Sequence, residues 1–312
     1  FFALASGRVT SNMSISWKET WKNKSVIYWM RLSSALSWRH IQKISNLLAK
    51  LLLIFPNSFQ RITVRNLSLC FPHLTADQQK KICAESLQHQ VATLLELGPT
   101  WTQSLAVSQH AILQVRNENV LHTKLKEPNG LLLLLPHLGN WELANQYISQ
   151  QTKVTALYKP GRLEDFSNWV VQSRERFGVR MVPTSVRGVA AAFKALKRGE
   201  TVVILPDQEA PKANGIFAPF FNIPALTGTL CHRLIQKTNA NVLCMFCRRD
   251  WDKAGFEMIF IEPDPQIYDE DMEIATTALN KSIENCIVLY PEQYQWSYKR
   301  FRRRPNKQPS LY

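Results

Sequence analysis

A chain of 312 residues that is 45% hydrophobic can bury a substantial core, as one large domain or a domain with an appendage. Its formal net charge of +14 allows nucleic acid, an anionic membrane or an acidic protein as partner, with plain solvated surface as the alternative. Eleven glycines, no two of them two residues apart, exclude a GxG dinucleotide fingerprint; GxxxxGK, GxSxG and HExxH are absent too, and the seven histidines form no close pair.

Phe1–Asn12 precedes the first methionine, Met13, and is set aside as a possible foreign extension. The basic excess is uneven: from Phe1 to Arg65 there are ten Lys or Arg and one acid, Glu19, and a second cluster lies in "YKRFRRRPNK" at Tyr298–Lys307. No run of ~18 apolar residues is present, so a clean spanning helix is not encoded. Two weaker segments are. "SVIYWMRLSSALSW" (Ser25–Trp38) is broken by Arg31, and "IQKISNLLAKLLLIF" (Ile41–Phe55) places Ile41, Ile44, Leu47, Leu48, Leu51, Leu52 and Phe55 on one helical stripe before Pro56 ends it. Tryptophans at Trp17, Trp21, Trp29 and Trp38, mixed with basic residues, have the composition of a bilayer interface. Residues 13–60 are therefore expected to form a helical membrane anchor, either spanning the bilayer or lying in its surface.

Residues 61–312 read as one α/β domain. "LTADQQKKI" is a capping box, with Thr75 as N-cap and Gln78 three residues on, and predicts a helix from Ala76 to Leu97 that Gly98-Pro99 breaks. Strand-like segments follow at Gly130–Leu135, Val154–Tyr158, Val179–Pro183, Thr201–Leu205, Asn241–Cys247 and Phe256–Ile261. Helical patterns lie between several of them, at Trp141–Gln151, Leu163–Phe177, Val186–Arg198 and Thr227–Lys237, with a last helix at Met272–Tyr290. The alternation predicts a mixed, largely parallel sheet flanked by helices. The six cysteines have no disulfide spacing. "CMFC" sits in a strand, where positions three apart face opposite sides, so no zinc site is expected.

The chemistry concentrates in "LLLLLPHLGNWELAN". In a continuous helix, residues five apart lie ~140° apart around the axis and do not meet. If the strand ends near Leu135 and a helix begins near Asn140, His137 sits in the turn over the helix N-terminus. Asn140 then caps the helix, Glu142 reaches back to one imidazole nitrogen, and Gly139 leaves room for a substrate beside the backbone. A histidine with an orienting acid is a general base, and the acceptor's own hydroxyl can serve as nucleophile. A structural histidine bonded to a nearby acid is the alternative. The C-terminal edge of an α/β sheet is where such folds place their sites.

"HLGNWE", an HxxxxE after an apolar strand, resembles the signature of the lysophospholipid-type acyltransferases. "VRNLSLCFPHLTADQQKKI", "ALKRGETVVILPDQEA", "FAPFFNIPALTGT" and "YPEQYQWSYKRFRRRP" are similar to the late, lauroyl- and myristoyltransferase-type acyltransferases of lipid A biosynthesis, over about Ile62 to Tyr312. The resemblance implies a glycerol-phosphate-acyltransferase-like fold at the cytoplasmic face of the bacterial inner membrane, and no cofactor, metal or nucleic acid. It implies transfer of a fatty acyl chain from acyl carrier protein to the 3-hydroxyl of an acyl chain on a lipid A precursor. His137 would be the base and Glu142 its orienting acid. A functional arginine falls in "SRERFG", Arg174 or else Arg176, with Asp207 of "PDQ" holding it. That arginine, or turn amides near Gly139, would stabilise the oxyanion, each donor being worth ~2.7–4 kcal/mol. Gly139, Asn140, Arg176, Phe220, Phe221, Arg302, Arg303 and Arg304 are the candidate substrate-binding residues, the two phenylalanines as an apolar wall and the arginines toward phosphate or acyl carrier protein. The alternatives are an acyltransferase for mannosylated phosphatidylinositol or another lysolipid, and a non-catalytic basic nucleic-acid- or membrane-binding protein.

Overall fold

The computed structural model describes residues 17–161 and 163–312. Phe1–Asn12, and the start of the expected anchor from Met13 to Ser16, lie outside the described residues.

Four helices come first: α1 (Trp17–Ser33), α2 (Trp38–Ile54), α3 (Ser58–Cys70) and the long α4 (Ala76–Thr102). Both halves of the capping box at Thr75 are made. Gly98-Pro99 does not end α4. Pro99 has no N–H to donate to the carbonyl four residues back, yet the last turn persists because tertiary contacts hold it. A Cβ at Gly98 would lie 2.0 Å from Ser33 Oγ and 2.4 Å from the Met30 carbonyl, so glycine is there to let α1 approach. Trp101 beyond it is buried. No described helix is long and apolar enough to cross a membrane. α1 and α2 instead pack along α4. On α2 the buried positions are Ile41, Ser45 and Ala49, whereas Leu47, Leu48, Leu51, Ile54 and, just beyond, Phe55 point outward, the last two 68% and 66% exposed.

The α/β part then runs α5 (Leu105–Ala111), β1 (Ile112–Arg116), α6 (Glu118–Lys126), β2 (Leu131–Leu134), α7 (Trp141–Ser149), β3 (Val154–Tyr158), α8 (Glu164–Glu175), β4 (Val179–Pro183), α9 (Val186–Lys197) and β5 (Thr201–Ile204). A hairpin of β6 (Gly215–Phe220) and β7 (Ile223–Gly228) follows, then α10 (Leu230–Thr238), β8 (Asn241–Asp250), β9 (Gly255–Ile261) and α11 (Met272–Ile287). Among the described residues seven strands form one sheet in the order β1-β9-β8-β2-β5-β3-β4. Every neighbouring pair is parallel except β8–β9. The mixed, largely parallel sheet is therefore as expected, while β1 and the β6–β7 hairpin were not anticipated.

Side-chain alternation splits the core between the two faces of the sheet. Leu132, Leu134, Val202, Val242 and Cys244 face Leu67, Leu87, Leu234 and Leu279 of α3, α4, α10 and α11. Leu131, Leu133, Leu243 and Cys247 face Leu121, Leu143 and Ile148 of α6 and α7. Cys244 and Cys247 thus lie on opposite faces of β8. With both faces covered, β2 is buried at every position, which is why its leucines run without alternation.

Candidate active site

β2 and β5 are parallel neighbours in register, Leu134 opposite Ile204. His137 and Asp207 each lie three residues past those paired positions, so the two chains leave the sheet side by side and bring them together. The Asp207 carboxylate accepts from His137 Nδ1 at 2.8 Å through Oδ1 and from the His137 backbone N–H at 2.9 Å through Oδ2. The aspartate side chain is 1% exposed and the imidazole 15%. Burial pushes the Asp207 carboxyl up, but the charge and hydrogen bonds of His137 outweigh it and hold it below the ordinary range. Trp141 packs against the imidazole, with ring centroids 5.0 Å apart.

The acid that orients His137 is therefore Asp207 and not, as expected, Glu142. Glu142 does lie in the first turn of α7, but its buried carboxylate faces α4 and α8. It accepts from Trp101 Nε1 at 3.0 Å and from Arg174 Nε at 2.9 Å, and its other oxygen accepts from Arg174 Nη2. Burial raises its pKa, and the guanidinium more than reverses the effect, leaving it below the ordinary range. Arg174 is thus held by Glu142 rather than by Asp207. Arg176 donates to the carbonyls of Trp101, Thr102 and Gln103, capping the C-terminal end of α4 whose carbonyls lack helical partners. That contact also explains why α4 survives Pro99.

The turn itself is clamped. Asn140 caps α7 as expected, its Oδ1 accepting from the Leu143 N–H at 2.9 Å. Gly139 has φ +65°, and a Cβ there would fall 1.9 Å from the Cys247 carbonyl oxygen, so β8 takes the room expected for substrate. The amides of Leu138, Gly139 and Asn140 donate to Pro136, Gln293 and Cys247 carbonyls, so none is left for an oxyanion. Behind the turn lies a buried ion pair that sequence reasoning missed. Arg249 on β8 donates to Glu96 on α4 through Nε and Nη2, both at 2.7 Å, with side chains 0% and 2% exposed. The same Nη2 reaches the Gly139 carbonyl at 3.1 Å, and Asn140 Nδ2 donates to Glu96 at 3.0 Å.

The C-terminal segment completes the frame. Gln295 N–H donates to the His137 carbonyl, and Tyr294 bridges Leu138. Burial, and then the charge of the nearby Asp207 carboxylate, push the Tyr294 phenol well above its ordinary range. Tyr298 Oη accepts from the Glu209 N–H. Arg302 donates to the Glu209 carboxylate at 2.7 Å, the Arg303 backbone N–H donates to it at 2.8 Å, and Arg304 donates to the Pro224 carbonyl and Gln308. The contacts of Arg302 and Arg303 tie the tail to the loop carrying Asp207, and Arg304 ties it to β7, while the Arg302 and Arg303 side chains stay 60% and 42% exposed. Phe220, 1% exposed, is core, packed against Phe221, Phe301 and the Arg300 guanidinium, and Phe221 is half-buried against Phe71 and Trp296.

A buried acid–histidine pair at the C-terminal edge of a parallel sheet suits proton abstraction from a hydroxyl. The family model for bacterial lipid A biosynthesis acyltransferases matches residues 11–303. The chain belongs to that family. The lipid A acyltransferase is 27% identical to the lipid A biosynthesis lauroyltransferase of Escherichia coli K12 over 94% of each chain. It is 30% identical to the palmitoleoyltransferase of the same organism over 81% of this chain and 82% of that one, and 25% identical to its myristoyltransferase over 82% and 80%. Within the acyltransferase, the HxxxxE motif divides between two partners: its histidine hydrogen-bonds to Asp207 of "PDQ", and its glutamate forms an ion pair with Arg174 of "SRERFG".

Proposed function

We propose that this acyltransferase moves a fatty acyl chain from the thioester of acyl carrier protein to the 3-hydroxyl of an acyl chain on a lipid A precursor, with His137 as general base. The observation that carries the reading is the 2.8 Å contact between His137 Nδ1 and the buried Asp207 carboxylate. It fixes the tautomer, with the proton on Nδ1 and the lone pair on Nε2. Nε2 takes the acceptor's hydroxyl proton, the oxygen adds to the thioester carbonyl carbon, and the C–S bond breaks as the carbonyl reforms. The thiolate leaves with the proton returned from Nε2. The neighbouring Asp207 carboxylate stabilises the imidazolium between these steps. Glu142 occupies Nε and Nη2 of Arg174 and leaves Nη1 for an anionic group of the substrate, a role suited to a lipid phosphate.

The acceptor is a membrane lipid, and the outward leucine face of α2 supports docking on the cytoplasmic surface of the inner membrane. Leu48, Leu51 and Phe55 line an apolar groove of about 380 Å³ with Trp29, Val91 and Leu94. Lys43, Lys50 and Arg61 flank it in sequence and are exposed, as anionic headgroups require. In this reading the helices lie in the interface rather than crossing it.

The test is His137→Ala in the purified protein, given a lauroyl thioester of acyl carrier protein and a lipid A precursor, with product read by mass. Loss of a general base costs about 10²–10⁴ in rate. Near-normal turnover with unchanged melting would remove His137 from the role. Membrane docking is read separately by vesicle flotation of Leu47→Glu/Leu51→Glu, which is expected to leave the vesicle fraction.

A further inference from the structure

The nitrogen that must take the acceptor's proton is already covered. In the neutral imidazole that a general base requires, Nδ1–H of His137 donates to Asp207 and Nε2 can only accept. The Gln208 side-chain nitrogen lies 3.2 Å from Nε2 and 3.3 Å from Oε1 of Gln295. Its two N–H groups therefore each meet an acceptor. The reversed amide would set its oxygen against the Nε2 lone pair, so the imidazole fixes the orientation. Gln295 is held in place from the other side, because its own backbone N–H donates to the His137 carbonyl at 3.1 Å.

A base poised beside a thioester activates whichever hydroxyl reaches it, and water is the rival of the lipid acceptor. We propose that Gln208 shields the base: its amide N–H holds the Nε2 lone pair against water and gives way to the acceptor hydroxyl, so that the acyl chain is not lost to hydrolysis. This rests on His137 being the base, as proposed above. In the suppressed reaction Nε2 takes a proton from water and the water oxygen adds to the thioester carbonyl carbon. The C–S bond breaks, and the thiolate leaves with the proton from Nε2, giving a fatty acid and a free thiol. Water that displaces the amide exchanges one hydrogen bond for another and pays its immobilisation entropy. The acceptor hydroxyl arrives on a lipid whose remote contacts have already met that cost. Gln208 thus discriminates by who can afford the exchange, and its displaced N–H remains beside the new oxygen as a donor.

The experiment uses the full chain with a lauroyl thioester of acyl carrier protein. Thiol release without acceptor measures hydrolysis, and acylated lipid A precursor measures transfer. Gln208→Ala is expected to raise hydrolysis about three- to tenfold, the size of one net hydrogen bond. Transfer should fall by less than that factor, so the hydrolysis-to-transfer ratio rises. Gln295→Leu, which removes the acceptor that steadies the Gln208 amide, is expected to raise the ratio by a smaller amount. A ratio equal to the parent's in Gln208→Ala, whether both rates hold or both fall together, overturns the shield. Should Gln208→Ala fail to fold, Gln295→Leu decides the same question by the same ratio. His137→Ala is measured alongside. If it abolishes transfer while Gln208→Ala leaves the ratio unchanged, the shield alone is wrong; if it retains transfer, the base assignment falls and the shield with it.

Discussion

Replacing Arg249 by methionine probes the frame behind the active-site turn. The substitution keeps much of the side-chain volume but leaves the Glu96 carboxylate, 2% exposed, without its cation. Breaking a buried ion pair from one side costs about 3–5 kcal/mol. With an unfolding entropy of about 2.1 cal/mol/K per residue, the 312 residues give ~0.66 kcal/mol/K, so the melting midpoint should drop by about 5–8 °C. The double variant Glu96→Leu/Arg249→Met removes both charges, and should recover most of that loss because neither ion is left unpaired. It should not recover activity. Asn140 Nδ2 has lost its acceptor and the Gly139 carbonyl its donor, so the turn carrying His137 is no longer fixed, and small misplacements of a reacting group cost about 10²-fold. Calorimetry and the transfer assay on both variants check the two halves. The reasoning is refuted if Arg249→Met melts within 1–2 °C of the parent (roughly 1 kcal/mol on the same entropy), or if the double variant is as unstable as the single one.

Gly139→Ala is expected to destabilise the protein and reduce transfer together, since φ is +65° and the new methyl would collide with the Cys247 carbonyl; equal melting curves would count against this. Glu142 and Asp207 have folded pKa values below their unfolded ones, so each contributes stability that is present above the ordinary carboxylate pKa and lost as pH falls through the folded value. Melting temperature should therefore hold from neutral pH to about pH 4 and fall below it, with a shallower fall in Glu142→Gln. Arg302→Gln/Arg303→Gln leaves the Glu209 carboxylate, 1% exposed, without its cations, and should lower stability by about 1–3 kcal/mol. An unchanged melting curve with an altered salt dependence of KM would favour substrate binding by these arginines instead.

Much of the fold was written locally. The uninterrupted leucines of β2 announced a strand covered on both faces, Thr75 and Gln78 announced the start of α4, and Asn140 announced the cap of α7, because each depends on residues within one turn or one strand. The brief strand β1 and the proline-bearing β6–β7 hairpin escaped for lack of such a pattern, and Pro99 misled because its missing hydrogen bond is outweighed by α1, α8 and Glu142 closing on the last turn of α4. His137 as the reactive centre was legible from the strand-turn-helix pattern and the HxxxxE spacing. Its partner was not. Five residues of chain put Glu142 near His137, but the register of β2 on β5 sets Asp207, 70 positions away, directly on Nδ1 and leaves Glu142 to Arg174. Spacing along the chain limits which groups can approach; which carboxylate meets which cation is decided by the parallel pairing of strands and by the helix face on which each acid is carried. The same holds for Glu96 and Arg249, 153 positions apart, which only the packing of α4 against β8 brings together behind the turn; Gln208 adjoins Asp207 in "PDQ", but only the pairing of β2 with β5 sets its amide on Nε2.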